Sequence, residues 1–286
     1  MSIIPSSGTL YVVATPIGNM SDITIRACAI LQKVSAICAE DTRHTRLLLQ
    51  YHGIDRPMVS LHTHNEVAMV PKLLERLQQG DSLALVSDAG TPVVSDPGFC
   101  LIRAARAQGV PVSPIPGASA LIAGLCVSGL PSDRFVFEGF LPSKPVARQR
   151  RLQDLATETR TLIFYESPHR IEETLLQMAT LFGGQRSAVL ARELTKRFET
   201  ILDGPLESLY QRLQNNSEQR KGEFVLLVHG AVQDTQADAL LGLRAYKLLA
   251  HHLPPSLAAR IASELSGVPR KQIYAAGLAH TDQSVE

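Results

Sequence analysis

Short apolar runs alternate with amphipathic stretches along the first part of the chain. LYVVAT at Leu10 to Thr15 has strand length, and a helical pattern follows over Ile23 to Lys33. SAICAE at Ser35 to Glu40 reads as a second strand, Thr42 to Tyr51 as a helix stopping at Gly53, and MVSLHTH as a third strand. VPKLLERLQQG places Val70, Leu73, Leu74 and Leu77 on one helical face, with Gly80 where a left-handed C-cap belongs. The strand LALVS comes next, and LIRAARAQG repeats the device with Gly109 before VPVSPIPG. This alternation predicts an α/β fold with a mostly parallel sheet.

Around Pro116 to Pro131 the pattern changes to PGASALIAGLCVSGLP, read as a hinge and the first helix of a second unit. That unit carries its own strands, RFVFEGFL, TLIFYES, SAVLARE and FVLLVHG, with the amphipathic helix HRIEETLLQMATLFGG between the second and third. The polar stretch AVQDTQAD then leads to a helical tail over Ala239 to Ala279. The expected organisation is an N-terminal α/β lobe over residues 1–118, a C-terminal α/β lobe over residues 119–232, and a small helical domain over residues 236–286.

Composition narrows the function classes. With 286 residues, 45% of them hydrophobic, the chain can bury a substantial core, and a net charge of +1 gives no general attraction to nucleic acid. RNA contact therefore needs local basic clusters. The four cysteines, Cys28, Cys38, Cys100 and Cys126, are scattered in apolar surroundings and read as buried reduced thiols. No stretch has the length of a membrane span or the form of a secretory leader, so a soluble, cytoplasmic protein is expected.

The candidate chemistry sits where strands end. ATPIGN offers backbone amides, a fixed Pro16 and a flexible Gly18 that lets a ligand approach the main chain, although an ordinary βα turn has the same composition. SDAGTP puts Asp88 at a strand's carboxyl end before a tight turn through Gly90 and Thr91, facing a crevice or capping the turn. Pro116-Gly117-Ala118-Ser119, continuing into Ala120, makes a third such turn. Three small-residue turns in one half of the chain point to a single site lined by all of them. PGASAL lacks the second glycine of a hydrolase nucleophile elbow, with Leu121 in its place, which excludes serine hydrolysis. His62 and His64 alternate on a strand without a third ligand nearby, and polar strand-end residues are the better reading than metal ligands.

Charge concentrates at other strand ends. AEDTRHTRLLL sets Glu40 and Asp41 at a helix start, with Arg43 and Arg46 three apart on one helical face. That arrangement suits either a favourable helix N-terminus or phosphate binding. YESPHR and ARELTKRFET bring Glu166, Glu193 and Lys196 towards the cleft expected between the lobes. LPSKPVARQRR is the densest positive patch, with Lys144, Arg148, Arg150 and Arg151; it is a solvated loop and helix start or a salt-sensitive phosphate contact. The tail SLAARIASELSGVPRKQIYAAGL has a helix-turn-helix outline, which small bundles that bind nothing share.

Taken together, TPIGN, AEDTRHT, SDAGTP with SDPG, PGASAL, YESPHR, ARELTKRFE and KGEFVLLV resemble the tetrapyrrole methylase superfamily, from about Gly8 to Gly230. Within it they are most similar to the branch that 2′-O-methylates a cytidine ribose in small-subunit ribosomal RNA. Corrin-making members carry a GxGPGD-like first turn, and ATPIGN stands in its place here. The resemblance implies two α/β lobes with S-adenosyl-L-methionine in the cleft between them, and a homodimer. It implies cofactor contacts at Pro16, Asp88, Thr91, Ser119 and Ala120 from the first lobe, and at Ala191, Gly222 and Glu223 from the second.

Methyl transfer from a sulfonium needs alignment and some help in deprotonating a weakly acidic hydroxyl. Glu193 with Lys196 is the expected catalytic pair, with Arg43, Arg46, Lys144, Arg148, Arg150 and Arg151 as the expected RNA contacts. Two other readings stay open on sequence alone: a small-molecule methyltransferase, and a non-enzymatic nucleotide-sensing RNA-binding protein.

Overall fold

The computed structural model describes residues 8–232 and 235–281. Its first lobe runs β1 (Leu10–Val13), α1 (Ile25–Lys33), β2 (Ala36–Ala39), α2 (Thr42–Tyr51), β3 (Met58–Ser60), α3 (Glu66–Gln78), β4 (Leu83–Val86), α4 (Phe99–Ala107) and β5 (Val112–Ile115). All of its strand pairs are parallel, in the order β3-β2-β4-β1-β5. The α1 and α2 residues Ala27, Leu31 and Leu49 cover one face, against Val13, Ile37 and Val86. Leu73, Leu77, Leu101 and Ala105 of α3 and α4 cover the other, against Leu10, Cys38 and Leu85. Burial on both faces explains why these strands are continuously apolar instead of alternating. Each buried leucine contributes about 1.5–3 kcal/mol.

Strand order fixes where a ligand can sit. From β1 the chain crosses to β2 and β3 on one side, and from β4 it crosses to β5 on the other. The neighbours β1 and β4 therefore flank the point where the winding reverses, and a crevice opens beyond their carboxyl ends. Thr15 and Gly90 tie the two outgoing turns together by reciprocal backbone hydrogen bonds of 2.9 and 3.1 Å.

The second sheet has the order β6-β7-β10-β8-β9, built from β6 (Phe135–Phe140), β7 (Thr161–Glu166), β8 (Ser187–Arg192), β9 (Thr200–Pro205) and β10 (Phe224–Val228). Only β6 and β7 pair in parallel; the remaining pairs are antiparallel. One face carries α6 (Pro145–Leu155), α7 (Ile171–Phe182) and α8 (Leu206–Asn215) through Leu152, Leu175, Met178 and Leu209. The opposite face packs on α5 (Ala120–Ser128), and this cluster also takes in Ile17 from the first lobe's turn. Gly124 and Leu125 of α5 are buried in this contact, while Ile122, Cys126 and Val127 on its other side are exposed, so the apolar surface of the helix exceeds what the sheet covers. Gly124 makes the fit possible, since a Cβ there would lie 3.0 Å from Val225 Cγ1.

The strand β9 and helix α8 lie outside the sequence expectation. Pro205 ends β9, which is the sheet's edge, where a proline's missing N–H is tolerated. The histidines also differ: β3 ends at Ser60, so His62 and His64 occupy the turn before α3, not the strand. Their rings lie 6.0 Å apart, and no cluster of three or more possible metal ligands occurs among the described residues. Burial pushes the Cys38 thiol up to about 12. Cys126, by contrast, is exposed on α5, against the expectation of buried thiols.

The two sheets belong to one compact unit, and residues from Val232 onward form another. That second unit holds α9 (Thr235–Ala250), α10 (Pro255–Ser266) and α11 (Arg270–Thr281) around Tyr246, Ala258, Ala259, Ala262 and Ile273. Gly267, with φ +72°, ends α10 in the left-handed conformation that a tight turn into α11 requires. No described helix is long and apolar enough to cross a membrane.

Candidate active site

A cleft of about 450 Å³ opens at the switch point, between the β1 and β4 turns and the end of the second sheet. Its apolar wall comes from Ile17, Ala120, Ala191, Leu194 and Val225; its polar groups are Asp88, Thr91, Ser95, Asp96, Ser119 and Tyr165. Volume and lining are those of a site for a mid-sized organic ligand.

Backbone geometry makes the three first-lobe turns converge. Gly90 has φ +80°, a left-handed conformation that glycine adopts without strain. Gly117 comes so close to β1 that a Cβ would sit 2.9 Å from that of Ala14. Thr91 Oγ1 donates to the Ala118 carbonyl at 3.1 Å, joining the second turn to the third. Ser119 opens α5 without a side-chain cap, and the Leu121 N–H donates to the Tyr165 hydroxyl oxygen at 3.1 Å. Asp88 reconciles its two sequence readings: one carboxylate oxygen accepts the Asp41 N–H at 2.9 Å, and the group still borders the cleft.

Second-lobe charges are mostly paired. Glu193 Oε1 receives Lys196 Nζ at 2.9 Å and the Glu223 N–H at 2.9 Å, while Lys196 Nζ also reaches Glu223 Oε2 at 3.0 Å. Burial alone would raise the Glu193 carboxyl, but these partners hold it below the usual carboxylate range. Glu193 and Thr195 have φ of +52° and +65°, so this turn stores backbone strain beside the site. Glu166 is 2% exposed and fully engaged, with the Ser167 N–H at 2.7 Å, Thr174 Oγ1 at 2.8 Å and Arg170 at 2.8 Å.

Two protein-family models match the chain: "Tetrapyrrole (Corrin/Porphyrin) Methylases" over residues 9–210 and "RsmI C-terminal HTH domain" over residues 234–281. Ribosomal RNA small subunit methyltransferase I of Xylella fastidiosa is 60% identical over 267 residues, covering 93% of this chain and 98% of that protein. The enzyme of the same name from Pseudomonas aeruginosa is 50% identical, covering 98% of this chain and all of its own length, 100%. The chain belongs to the tetrapyrrole methylase family, in its ribosomal RNA small subunit methyltransferase I branch. Fold similarity agrees: the uroporphyrin-III C-methyl transferase from Thermus thermophilus, solved with S-adenyl homocysteine, superimposes with a TM-score of 0.52 at 17% identity, covering 77% of this chain and 97% of that one.

Against the tetrapyrrole methylase pattern, the cleft gathers Asp88, Gly90, Thr91, Ser119, Ala120, Ala191 and Glu223. Pro16 and Gly18 precede and follow the lining residue Ile17 in sequence, and Gly222 precedes Glu223, but these three are not among the residues that line the cleft. The carboxylate and amine of Glu193 and Lys196 are turned to each other, and Leu194 between them supplies the lining. Among the expected RNA contacts, Arg148 is a correction. Its side chain is 1% exposed, donating from Nε to Gln177 at 2.9 Å and paired with Glu173 between α6 and α7. Helical spacing explains this, because Arg148 lies four residues before the buried Leu152 on the same face of α6. Lys144, Arg150 and Arg151 are exposed, Arg151 as a two-point pair with Glu138 at 2.8 Å. Arg43 and Arg46 are exposed on α2, Arg43 paired with Asp41 at 2.7 Å.

Asp96 and Phe140 are the residues that the sequence reading missed. The signal available was the echo of Ser87-Asp88 in Ser95-Asp96, each followed by a small-residue turn.

Proposed function

We propose that this chain is an S-adenosyl-L-methionine-dependent methyltransferase that modifies the ribose 2′ hydroxyl of a cytidine in small-subunit ribosomal RNA. The observation that carries the reading is the convergence of three turns from one lobe with Ala191 and Glu223 of the other on one cleft. The names of the relatives support the RNA substrate, and the resemblance described above supports the acceptor atom. ATPIGN in place of a GxGPGD-like turn argues against a tetrapyrrole acceptor.

The donor set fits the cofactor. Apolar walls suit an adenosine, while the Asp88 carboxylate and the Thr91 and Ser119 hydroxyls suit its hydroxyls and charged amino-acid end. In this reading Pro16, Gly18, Asp88, Gly90 and Thr91 hold it from the N-terminal lobe, residues 1–118, and Ser119, Ala120, Ala191, Gly222 and Glu223 from residues 119–232. When bound, it supplies a methyl group already activated on a sulfonium. The protein's own work is to exclude water and hold the acceptor in line, which contributes about 7–11 kcal/mol of barrier lowering. Glu193 and Lys196 brace the turn that carries Leu194, and so act on the shape of the donor subsite.

Lys144, Arg150, Arg151, Arg43 and Arg46, with the helix-turn-helix unit over residues 236–286, form the RNA-facing set. The partner is the small subunit, assembled or late in assembly, in the cytoplasm, and the enzyme is a homodimer. The test is incubation with labelled S-adenosylmethionine and small ribosomal subunits, followed by mass-spectrometric mapping. Label on a cytidine ribose supports the reading, and label on a base or none at all refutes it.

A further inference from the structure

We propose that a second hollow, set between α2 and the start of β3, holds a nucleotide of the RNA strand that flanks the acceptor, gripping its phosphate with Arg46 and Arg56. The inference rests on the reading of the cleft as an RNA ribose methyltransferase site and adds to it a specificity-determining contact.

The hollow has a volume of about 430 Å³, close to that of the donor cleft. Its residues sort by chemistry. Leu49 and Ile54 are buried and, with Pro57 and Met58, make an apolar floor. The rim is polar: Thr42, Arg46 and Gln50 recur at every fourth position of α2, and Asp55 and Arg56 close the rim from the connection to β3. Among the described residues, none of these five side chains makes a hydrogen bond, and neither arginine nor Asp55 makes an ion pair. The contrast is with Arg43 on the same helix, which pairs with Asp41 at 2.7 Å.

The frame around the hollow is fixed. Gly53, with φ +63°, ends α2 in the left-handed conformation. The Ile54 N–H then closes on the Leu49 carbonyl at 2.8 Å, and the Pro57 carbonyl accepts the Ile37 N–H of β2 at 2.9 Å. Asp55 and Arg56 therefore sit on a segment pinned at both ends, and a preformed hollow loses little ordering entropy on binding. β3 is the edge of its sheet, so no further strand of that sheet covers this side.

The mixture of groups selects the ligand. Two guanidiniums suit phosphate oxygens, which each can meet through parallel N–H bonds. Asp55 would repel a bare anion, yet it accepts from the amino group of a base, and the Thr42 hydroxyl and Gln50 amide supply further partners for base edge or ribose. An inorganic phosphate leaves the floor unused, and an apolar peptide strands the arginines. A nucleoside monophosphate unit engages both, and single-stranded RNA presents such units with the base free of stacking.

Position ties the hollow to the reaction. The Asp41 N–H donates to Asp88 at the donor cleft, and the next residue, Thr42, borders the second hollow. α2 has 10 residues and spans about 15 Å, so a strand with its ribose in the cleft can lay a neighbouring nucleotide along the helix.

The experiment compares wild type with Arg46→Gln, Arg56→Gln and the double variant in methylation of small subunits over a series of salt concentrations. Calorimetry reads S-adenosylmethionine affinity and sedimentation reads oligomeric state. Guanosine monophosphate, which matches neither a cytidine acceptor nor an adenosine donor, serves as the competing probe, and ultraviolet cross-linking of wild type to subunits locates the contact. In the double variant, KM for the subunit is expected to rise about 10-fold and the slope of log KM against log salt to fall by about 1 per arginine, at unchanged donor affinity and oligomeric state. Guanosine monophosphate should inhibit wild type in competition with the subunit and lose that effect in the double variant, and RNA should cross-link within residues 42–58. Unchanged KM and salt slope without such a cross-link overturn the site and leave the methyltransferase reading intact. Dissociation of the double variant into monomers at unchanged salt slope overturns it too, making the hollow a contact between copies. Binding of guanosine monophosphate that leaves subunit methylation untouched overturns the RNA assignment in favour of a free nucleotide. Absence of ribose methylation by the wild type overturns the function on which the inference rests.

Discussion

Lys196 lies over Gly18: a Cβ at Gly18 would come within 2.4 Å of the lysine Cγ. The first turn of one lobe and the strained turn of the other therefore meet through a position where only glycine leaves room. Lys196 is pinned by Glu193 and Glu223 at 2.9 and 3.0 Å and cannot swing aside without losing both. Gly18→Ala is expected to weaken S-adenosylmethionine binding about 10-fold, or about 1.4 kcal/mol, and to lower the melting temperature. Unchanged affinity by calorimetry would mean that this contact does not shape the donor subsite.

Gly222→Ala strikes the same brace from the opposite side. With φ +100° and a Cβ that would fall 2.5 Å from Glu193 Cγ, the substitution forces both backbone and carboxylate to move. The expected loss is about 1–3 kcal/mol of stability, read as a lower denaturant midpoint at unchanged slope.

The basic helix α6 separates into two kinds of arginine. Arg148→Ala removes a buried guanidinium from Gln177 and the half-exposed Glu173, and should cost about 2–3 kcal/mol of stability without altering the salt dependence of RNA binding. Arg150→Ala should leave stability within about 0.5 kcal/mol and reduce the slope of log affinity against log salt by about 1. A reversed outcome, with Arg148 setting the salt slope, would contradict the burial described here.

Asp96 carries a stability penalty. Its folded carboxyl titrates at about 6, above the ordinary value of 3.8, so the folded state holds that proton more tightly than the unfolded chain. The contribution is neutral below about pH 4, grows unfavourable as pH rises through 6, and is complete above it. Asp96→Asn is therefore expected to melt at a higher temperature than wild type at pH 8 and at the same temperature near pH 3.5. Equal melting at pH 8 would mean the carboxyl is not perturbed.

Phe140 is 55% exposed where it borders the cleft, a stacking surface for the acceptor base under the proposed function, so Phe140→Ala should raise KM for the small subunit by a factor equivalent to about 1–3 kcal/mol while donor affinity stays constant. Phe140→Tyr, which keeps the ring, should restore it; a KM that does not respond to the aromatic face would separate Phe140 from the acceptor.

Much of the first lobe was legible because its physics is local. Strands buried on both faces must be apolar, and helices there end at glycines such as Gly80 and Gly109, so period and punctuation agree. The three turns were legible for the same reason, since small residues after a strand have few other uses. What the sequence withheld was tertiary. Whether Arg148 faces solvent depends on α7 lying over it, and β9 takes strand form as the edge partner of β8. Asp96 was not singled out because its loop meets the β6 bulge through Ser95 and Gly139, more than 40 residues apart in the chain, which no nearby spacing reveals.

The shared cluster of Ile17 with Leu125, Val189, Leu194 and Val225 has a kinetic consequence. Since one oil-filled joint belongs to both halves, gaping the jaws would tear it apart. Under the proposed function, donor exchange is therefore expected to proceed by rearrangement of the residues at the mouth, since opening the lobes would expose this cluster to water.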